Sequence, residues 1–467
     1  MVVAALVPAA SSAGPLAKDQ PWAATATPQA TLRIAGRGFA SGALSSDGRM
    51  AVVAGRRAVF LFRASSEGSW RSTVQPAARL RLPRAALTNP AGLAISADGT
   101  TVLVAAGSVG NSAAAVYVFH VSSPRAWRSW VTPVAKLTNA SEPSGFASGV
   151  ALSSDGTTAL VGELEGADVF HVPTAGSWHD SSTPTATLVA DPAGEKGGLG
   201  ITVALSADGT TALIGATSLQ TYVGAAYVFR AAAADAWAST AAPDAVLTDG
   251  LAGLAGDGFG SAVSLSPDGT TALVGAPNLA FGPAGAAYFF RASSPRAWAS
   301  TGDPNAVVDR RTSSVPGWSV SLSGDGTALV GEPSVLGTPG AADVLQVSGT
   351  DITHAKLTNA AGPPRDLFGA GVGLSSDGTT ALVSSARGSF IFTRAGSRGA
   401  TDCYVPYLEG EKLDAAKRII RSTHCSVGTV TRVSTPRGHS DCVISETPES
   451  GHRLAVGARV YLRVVKG

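Results

Sequence analysis

The chain repeats one pattern of apolar and polar positions. Its fullest form is Val263-Ser264-Leu265-Ser266-Pro267-Asp268-Gly269-Thr270-Thr271-Ala272-Leu273-Val274-Gly275-Ala276-Pro277, an apolar run, a polar Ser-x-Asp-Gly turn and a second apolar run ending in Gly-Ala. The phrase returns with its aspartate at positions 47, 98, 155, 208, 268, 325 and 377, spacings of 51 to 60 residues. A fixed period of this size marks a repeat architecture. Asp-Gly between two apolar runs signals a hairpin, because glycine accepts positive φ and aspartate bonds its own backbone. The serine two positions earlier is placed to bond into the same turn.

Each unit holds four apolar segments. In the copy that begins at Trp237 they are Asp244 to Thr248, Ser261 to Ser266, Thr271 to Ala276 and Gly285 to Arg291. Runs such as Ala159-Leu160-Val161-Gly162 and Ala272-Leu273-Val274-Gly275 are apolar at consecutive positions, so both faces of their sheet are expected to be buried. Small residues recur there because neighbours approach closely from both sides. A four-stranded sheet of this size cannot hide its own faces and must lean on copies of itself. The pattern therefore predicts an all-β fold, a seven-bladed β-propeller over residues 22–394.

The outer segments carry a marker of their own. Trp22, Trp70, Trp127, Trp178, Trp237 and Trp298 each precede a proline and an Ala-x-Leu-like strand, and Ile352 stands in this place before Ala355-Lys356-Leu357. The first such segment, Trp22 to Leu32, comes before the first Ser-x-Asp-Gly, while the last copy stops after Ser389 to Arg394. The N-terminal segment is thus expected to supply the outer strand of the seventh blade and close the ring.

Composition agrees with many short strands and tight turns. The 467 residues include 55 Gly and 27 Pro, and are 45% hydrophobic but only 15% charged. A net charge of +2 gives no electrostatic ground for nucleic acid or an anionic membrane as partner. Residues 1–14, short, apolar and rich in Ala and Ser, read as the tail of a secretory signal or as a disordered terminus. The expected location is secreted or cell-surface, with no transmembrane span.

The Ser-x-Asp-Gly phrase, Gly258-Phe259-Gly260, Gly275-Ala276-Pro277 and Gly285-Ala286-Ala287-Tyr288 together resemble the FG-GAP repeat family of integrin-like propellers. Copies such as Ala91-Gly92 with Ala105-Ala106 keep little of that pattern. Many propellers of that family bind Ca²⁺ on this turn through several carboxylates. Each loop here offers one, as in Ser206-Ala207-Asp208-Gly209-Thr210-Thr211, so the aspartates are expected to form turns and no metal site is assigned.

After the linker 395–401 the composition shifts. Residues 402–467 hold 10 Lys+Arg against 7 Asp+Glu, +3, leaving −1 for the rest. Leu413, Ala416 and Ile420 mark an amphipathic helix over about 412–424. Asp414 suits its positive end, and Arg421 and His424 its negative end. Val427 to Val433, Cys442 to Glu446 and Arg459 to Val465 read as strands. Val405-Pro406, Gly410, Leu413 to Lys417, Val443 to Pro448, Gly451 and Gly457 to Leu462 resemble a PASTA domain, with Lys412 where that family usually places a helix-capping Ser or Thr. The resemblance implies one helix on a three-stranded sheet, an extracellular setting and possible peptidoglycan fragments or another surface glycan or protein as partners. In that fold Cys403 and Cys425 lie on elements that pack together, which implies a disulfide and leaves Cys442 over.

No nucleophile elbow, His-Glu-x-x-His pair, P-loop or Ser-x-x-Lys set is present, so no catalytic residue, cofactor or enzymatic activity is assigned. The seven histidines (120, 171, 179, 354, 424, 439, 452) are scattered, and the closest pair, His171 and His179, is expected at the surface. Glu163, Glu165 and Glu332 follow inner strands, where a central channel or top face is expected. A paired-carboxylate glycosidase there would be the alternative function, at one acid per loop. Trp318 is expected to wedge between blades. The sequence thus reads as an exported, non-catalytic binding or scaffold protein whose ligand-binding residues it does not identify.

Overall fold

The computed structural model describes residues 22–466 apart from 26, 34–37, 56–57, 67–68, 84–89, 107–113, 141–145, 164–165, 190–198, 218–223, 251–257, 278–284, 311–315, 334–339, 349–350, 360–365, 395–401, 406–407, 409–411, 423–424, 435–440, 449–452 and 456–457. The signal-like start, the linker, Glu165, His424, His439 and His452 therefore lie outside the described residues.

Among the described residues, seven sheets, each built on four antiparallel strands, carry the seven Asp-Gly turns. In chain order each begins with the strand before its turn. These first strands are Gly38–Leu44, Pro90–Ile95, Val150–Leu152, Leu199–Leu205, Ala262–Leu265, Ser319–Leu322 and Gly371–Leu374, opening sheets 1 to 7. The second strands, such as Thr158–Glu163, Thr327–Glu332 and Thr380–Ser385, are buried at every position. Third strands such as Gly285–Arg291 pair outward onto short fourth strands such as Ala306–Arg310. Consecutive apolar residues in the second strands make this possible: one face packs on the sheet before, the other on the sheet after.

First strands pack against first and second strands of the neighbouring sheet all the way round, and Gly38–Leu44 of sheet 1 packs on Gly371–Leu374 and Thr380–Ser385 of sheet 7. The ring returns to its start. Its closing strand comes from the other end of the chain: Ala30–Leu32 pairs with Gly388–Thr393, Thr31 opposite Phe390. Glycines allow the close approach between sheets. Gly260 sits at φ 88°, where a Cβ would run into the carbonyl of Ala225, and Ala147 holds the same left-handed region at φ 64°.

Each turn is built alike. Ser Oγ donates to Oδ1 of the aspartate two residues on, at 2.5–2.7 Å in all seven copies. The same Oδ1 accepts the backbone N–H two residues further. The six tryptophans seal these turns. Buried Trp70, Trp127, Trp178, Trp237 and Trp298 donate from Nε1 to the turn glycine's carbonyl of their own sheet, and Trp22 does so for sheet 7. The tryptophan thus marks more than the outer strand.

Beyond each tryptophan the chain lays a strap on the outer strand of the preceding sheet. On sheet 4, Ser300 Oγ accepts the Val246 N–H, the Thr301 N–H donates to the Val246 carbonyl, and the Thr301 carbonyl accepts the Thr248 N–H. Ser239 and Thr240 repeat this on sheet 3, and Ser72 and Thr73 on sheet 7. Asp180 with Ser181 serves sheet 2, Trp130–Val131 pairs on sheet 1, and Thr25 on sheet 6. On sheet 1 the exposed Trp130 lies between the guanidinium groups of Arg79 and Arg81, each 5.5 Å from the ring.

In the C-terminal unit a helix spans Leu413–Ser422, and its Leu413, Ala416 and Ile420 pack with Val443, Val460, Leu462 and Val464 of a three-stranded sheet. That sheet has Arg459–Val465 in the middle, parallel to Ser426–Val433 and antiparallel to Val443–Thr447. Asp402–Tyr404 pairs with Arg453–Ala455 as a separate ribbon.

Candidate functional site

The Asp-Gly turns, the tryptophans and the straps occupy one end of the ring. The opposite end is where second strands finish and first strands begin, and the sequence places its candidate chemistry there.

Glu163 and Glu332 close their second strands, and both are buried within the sheets, 3% and 1% exposed, rather than turned into a channel. Strand pairing explains the difference. Val161 lies opposite Asp168, so Glu163, two residues on, shares a face with Asp168 that packs against sheet 2. Asn139, at the end of sheet 2, donates from Nδ2 to Asp168 Oδ2 at 2.7 Å and to Glu163 Oε2 at 3.5 Å. Thr187 donates to the other Asp168 oxygen at 2.8 Å. These bonds satisfy buried carboxylates that would otherwise be costly. Sheet 6 repeats the arrangement with a cation: Lys356 lies opposite Asp343 in the strand register, and its Nζ is 3.1 Å from Glu332 Oε2.

Sequence reasoning missed Asp168 and Asp343. The signal was a charged residue inside Gly166-Ala167-Asp168-Val169-Phe170 and Ala341-Ala342-Asp343-Val344-Leu345, where sheets 2, 4 and 5 carry Tyr117, Tyr227 and Tyr288. Burial pushes the Tyr117 hydroxyl above its ordinary range.

Three further acids and bases are structural. Asp366, at the start of sheet 7, accepts the Phe368 N–H at 3.0 Å, and burial raises its carboxyl, with that bond and Arg387 opposing. His171 is half-buried rather than at the surface, its Nδ1 2.9 Å from Thr158 Oγ1, and His120 pairs likewise with Thr101 at 3.0 Å. Burial lowers both imidazoles, against the opposing charges of Asp235 and Asp155 for His171 and Asp98 for His120. His179 bonds the Ser177 carbonyl instead, so the pair does not converge.

Trp318 is a correction of another kind. It stands 38% exposed just before the first strand of sheet 6 instead of wedging between sheets. The residues that fill the interface are Phe146, Phe259 and Phe368, each two positions earlier in its sheet, directly before the left-handed residue that Trp318 follows. Leu367, 40% exposed and held at φ 57°, stands at the start of sheet 7, whose first strand packs beside that of sheet 6. A branched residue in this conformation is held there by its surroundings.

In the C-terminal unit Cys425 is buried and disulfide-bonded, and Cys442 is a half-buried thiol. The side chain of Cys403 lies outside the described residues. Among the described residues no helix is long and apolar enough to cross a membrane.

No family model matches the chain, and no curated protein matches it. Solved structures do. A chain of hydrazine synthase from Kuenenia stuttgartiensis is 13% identical, with a TM-score of 0.51 over 78% of this chain and 98% of its own. A chain of the mitotic checkpoint complex is 16% identical, with a TM-score of 0.51 over 84% of this chain and 99% of its own. At such identities the likeness shows the fold, an all-β propeller type built of four-stranded sheets.

Proposed function

We propose that this protein is an exported, non-catalytic binding scaffold. In this reading the seven sheets are the blades of a closed FG-GAP-like propeller, and residues 402–467 form a PASTA-like module that tethers it to peptidoglycan. The observation that carries the binding role is the contrast at one end of the ring. Glu163, Asp168 and Glu332 there are buried in bonds to Asn139, Thr187 and Lys356, while Trp318 and Leu367 stand exposed on neighbouring sheets. Exposed aromatic and aliphatic side chains on a rigid ring suit a partner surface, whereas acid–base chemistry needs accessible carboxylates. Export is supported by the signal-like composition of residues 1–14 and by the disulfide at Cys425.

The test is sedimentation with purified peptidoglycan, using the full chain and a chain ending at Arg394. Retention of the full chain alone supports the tether. Equal failure of both removes it, and release of soluble sugar fragments by either chain replaces the scaffold with a glycan hydrolase.

A further inference from the structure

Among the described residues six sheets have a strap on their outer strand, and sheet 5 has none. Its strap would come from sheet 6, between the third and fourth strands. There Ala341–Ser348 pairs directly with Asp351–Thr358, Ser348 opposite Asp351, and Ile352, expected in the tryptophan's place, lies in the fourth strand opposite Val347, with no tryptophan between the two strands. Ile352 and Val347 pack on the core between sheets 5 and 6, which stabilises the hairpin without a strap.

Two features follow from that one missing segment. Val307 of Ala306–Arg310 is 41% exposed, and among the described residues none bonds its outward N–H or carbonyl. The Gly326 turn of sheet 6, at φ 82°, has no indole on its carbonyl, and nothing lies within 4 Å of where its Cβ would be. The strand's opening stretch, Ala306-Val307-Val308, is apolar and free of proline and lysine, and its charges, Asp309 and Arg310, lie at its far end.

We propose that this edge is a strand-addition site for a partner peptide. The partner is an extended segment with an aromatic residue, one spacer, a Ser or Asp and then a Thr or Ser, running parallel to Ala306–Arg310. The binding mode continues the strap-on-edge interface that the chain makes at its other sheets. By the register of sheet 4, the partner's Ser Oγ accepts the Val307 N–H. Its next N–H donates to the Val307 carbonyl, and that residue's carbonyl accepts the Asp309 N–H. The aromatic residue then reaches the Gly326 turn of sheet 6. Backbone bonds supply affinity, and the aromatic and hydroxyl positions supply selectivity. The site is separate from the Trp318 end and from any binding to cell wall.

The probe is a labelled peptide copying Trp298 to Pro304 with its two preceding residues, titrated into the full chain and followed by fluorescence anisotropy. Saturable binding is expected. Val307→Pro, which removes the outward N–H while edge strands tolerate proline, should weaken it at least tenfold with an unchanged melting temperature. If that variant fails to fold, a peptide N-methylated at its Thr301 position should lose the same binding to the unaltered protein. Absence of saturable binding, or binding indifferent to both changes, overturns the proposal. So does a concentration-dependent dimer that Val307→Pro dissociates, which makes a second copy the occupant. Binding that appears only after residues 1–21 are removed likewise overturns it, because the chain's own start then fills the edge.

Discussion

The indole of Trp22 donates to the carbonyl of Gly378, 3.0 Å away and 356 residues along the chain. The same bond joins Trp70 to Gly48 across 22 residues. One local device therefore serves both as an ordinary turn seal and as the latch of the ring.

Trp22→Ala and Trp70→Ala should each cost about 3–5 kcal/mol, the usual range for emptying a buried tryptophan site. Trp318→Ala, at an exposed site, should stay within about 0.5 kcal/mol. Urea midpoints of the three variants measure this. A Trp22→Ala midpoint equal to that of the unaltered protein would separate the N-terminal segment from the ring.

The turn aspartates should behave as structure and not as ligands. Asp268 Oδ1 accepts from Ser266 Oγ, Thr270 N–H and Thr270 Oγ1. Asp268→Ala should cost about 1.5–3 kcal/mol, as for hydrogen bonds to a charged group. Adding or chelating Ca²⁺ should move the melting temperature by less than about 1 °C, since a bound ion would stabilise the fold by mass action. A rise of several degrees in Ca²⁺ contradicts this.

Acid should weaken the ring through two histidines. The folded values of His120 and His171 lie below the ordinary 6.5 because burial disfavours their charge. The unfolded chain therefore binds protons first. Their contribution is fully present above about pH 6.5 and is lost as pH falls through the folded values. Asp366 acts oppositely: its raised value gives stability at low pH that is lost as pH climbs above 3.8 through the folded value. Denaturant midpoints between pH 5 and 7 should flatten in the His120→Gln, His171→Gln double variant. An unchanged slope would remove the assignment.

We propose Cys403 as the partner of Cys425. Alkylation without reduction, read by mass, should label one thiol, Cys442, and three after reduction. Three labels without reduction rule the bridge out. Cys403→Ser should cost roughly 3 kcal/mol of stability in the C-terminal unit.

The turns were legible because their chemistry is local. Ser266, Asp268 and Gly269 carry it within four residues, and the same spacing recurs seven times. The origin of the closing strand was legible by counting segments, since Trp22 to Leu32 precedes the first turn. Contacts between sheets were not legible. The tryptophan bonds a backbone carbonyl, which leaves no residue type to recognise, and each strap holds its neighbour through one or two residues. Asp168 was hidden for a related reason. Its partners Asn139 and Thr187 come from another sheet and another strand, so the buried network has no sequence spacing of its own. Glu163 and Glu332 were misplaced because strand ends were read as loops, whereas their pairing runs to the last residue.

Deleting residues 1–35 tests the ring most directly. It removes Trp22, Ala30 and Leu32, all buried, and leaves Gly388–Thr393 as an open edge. At about 1.5–3 kcal/mol per large buried side chain, the loss is a sizeable part of a total of about 5–15. Calorimetry should show the whole ring melting at least about 10 °C lower or failing to fold. A truncated chain that melts cooperatively within about 2 °C of the full one would contradict closure by the N-terminal strand.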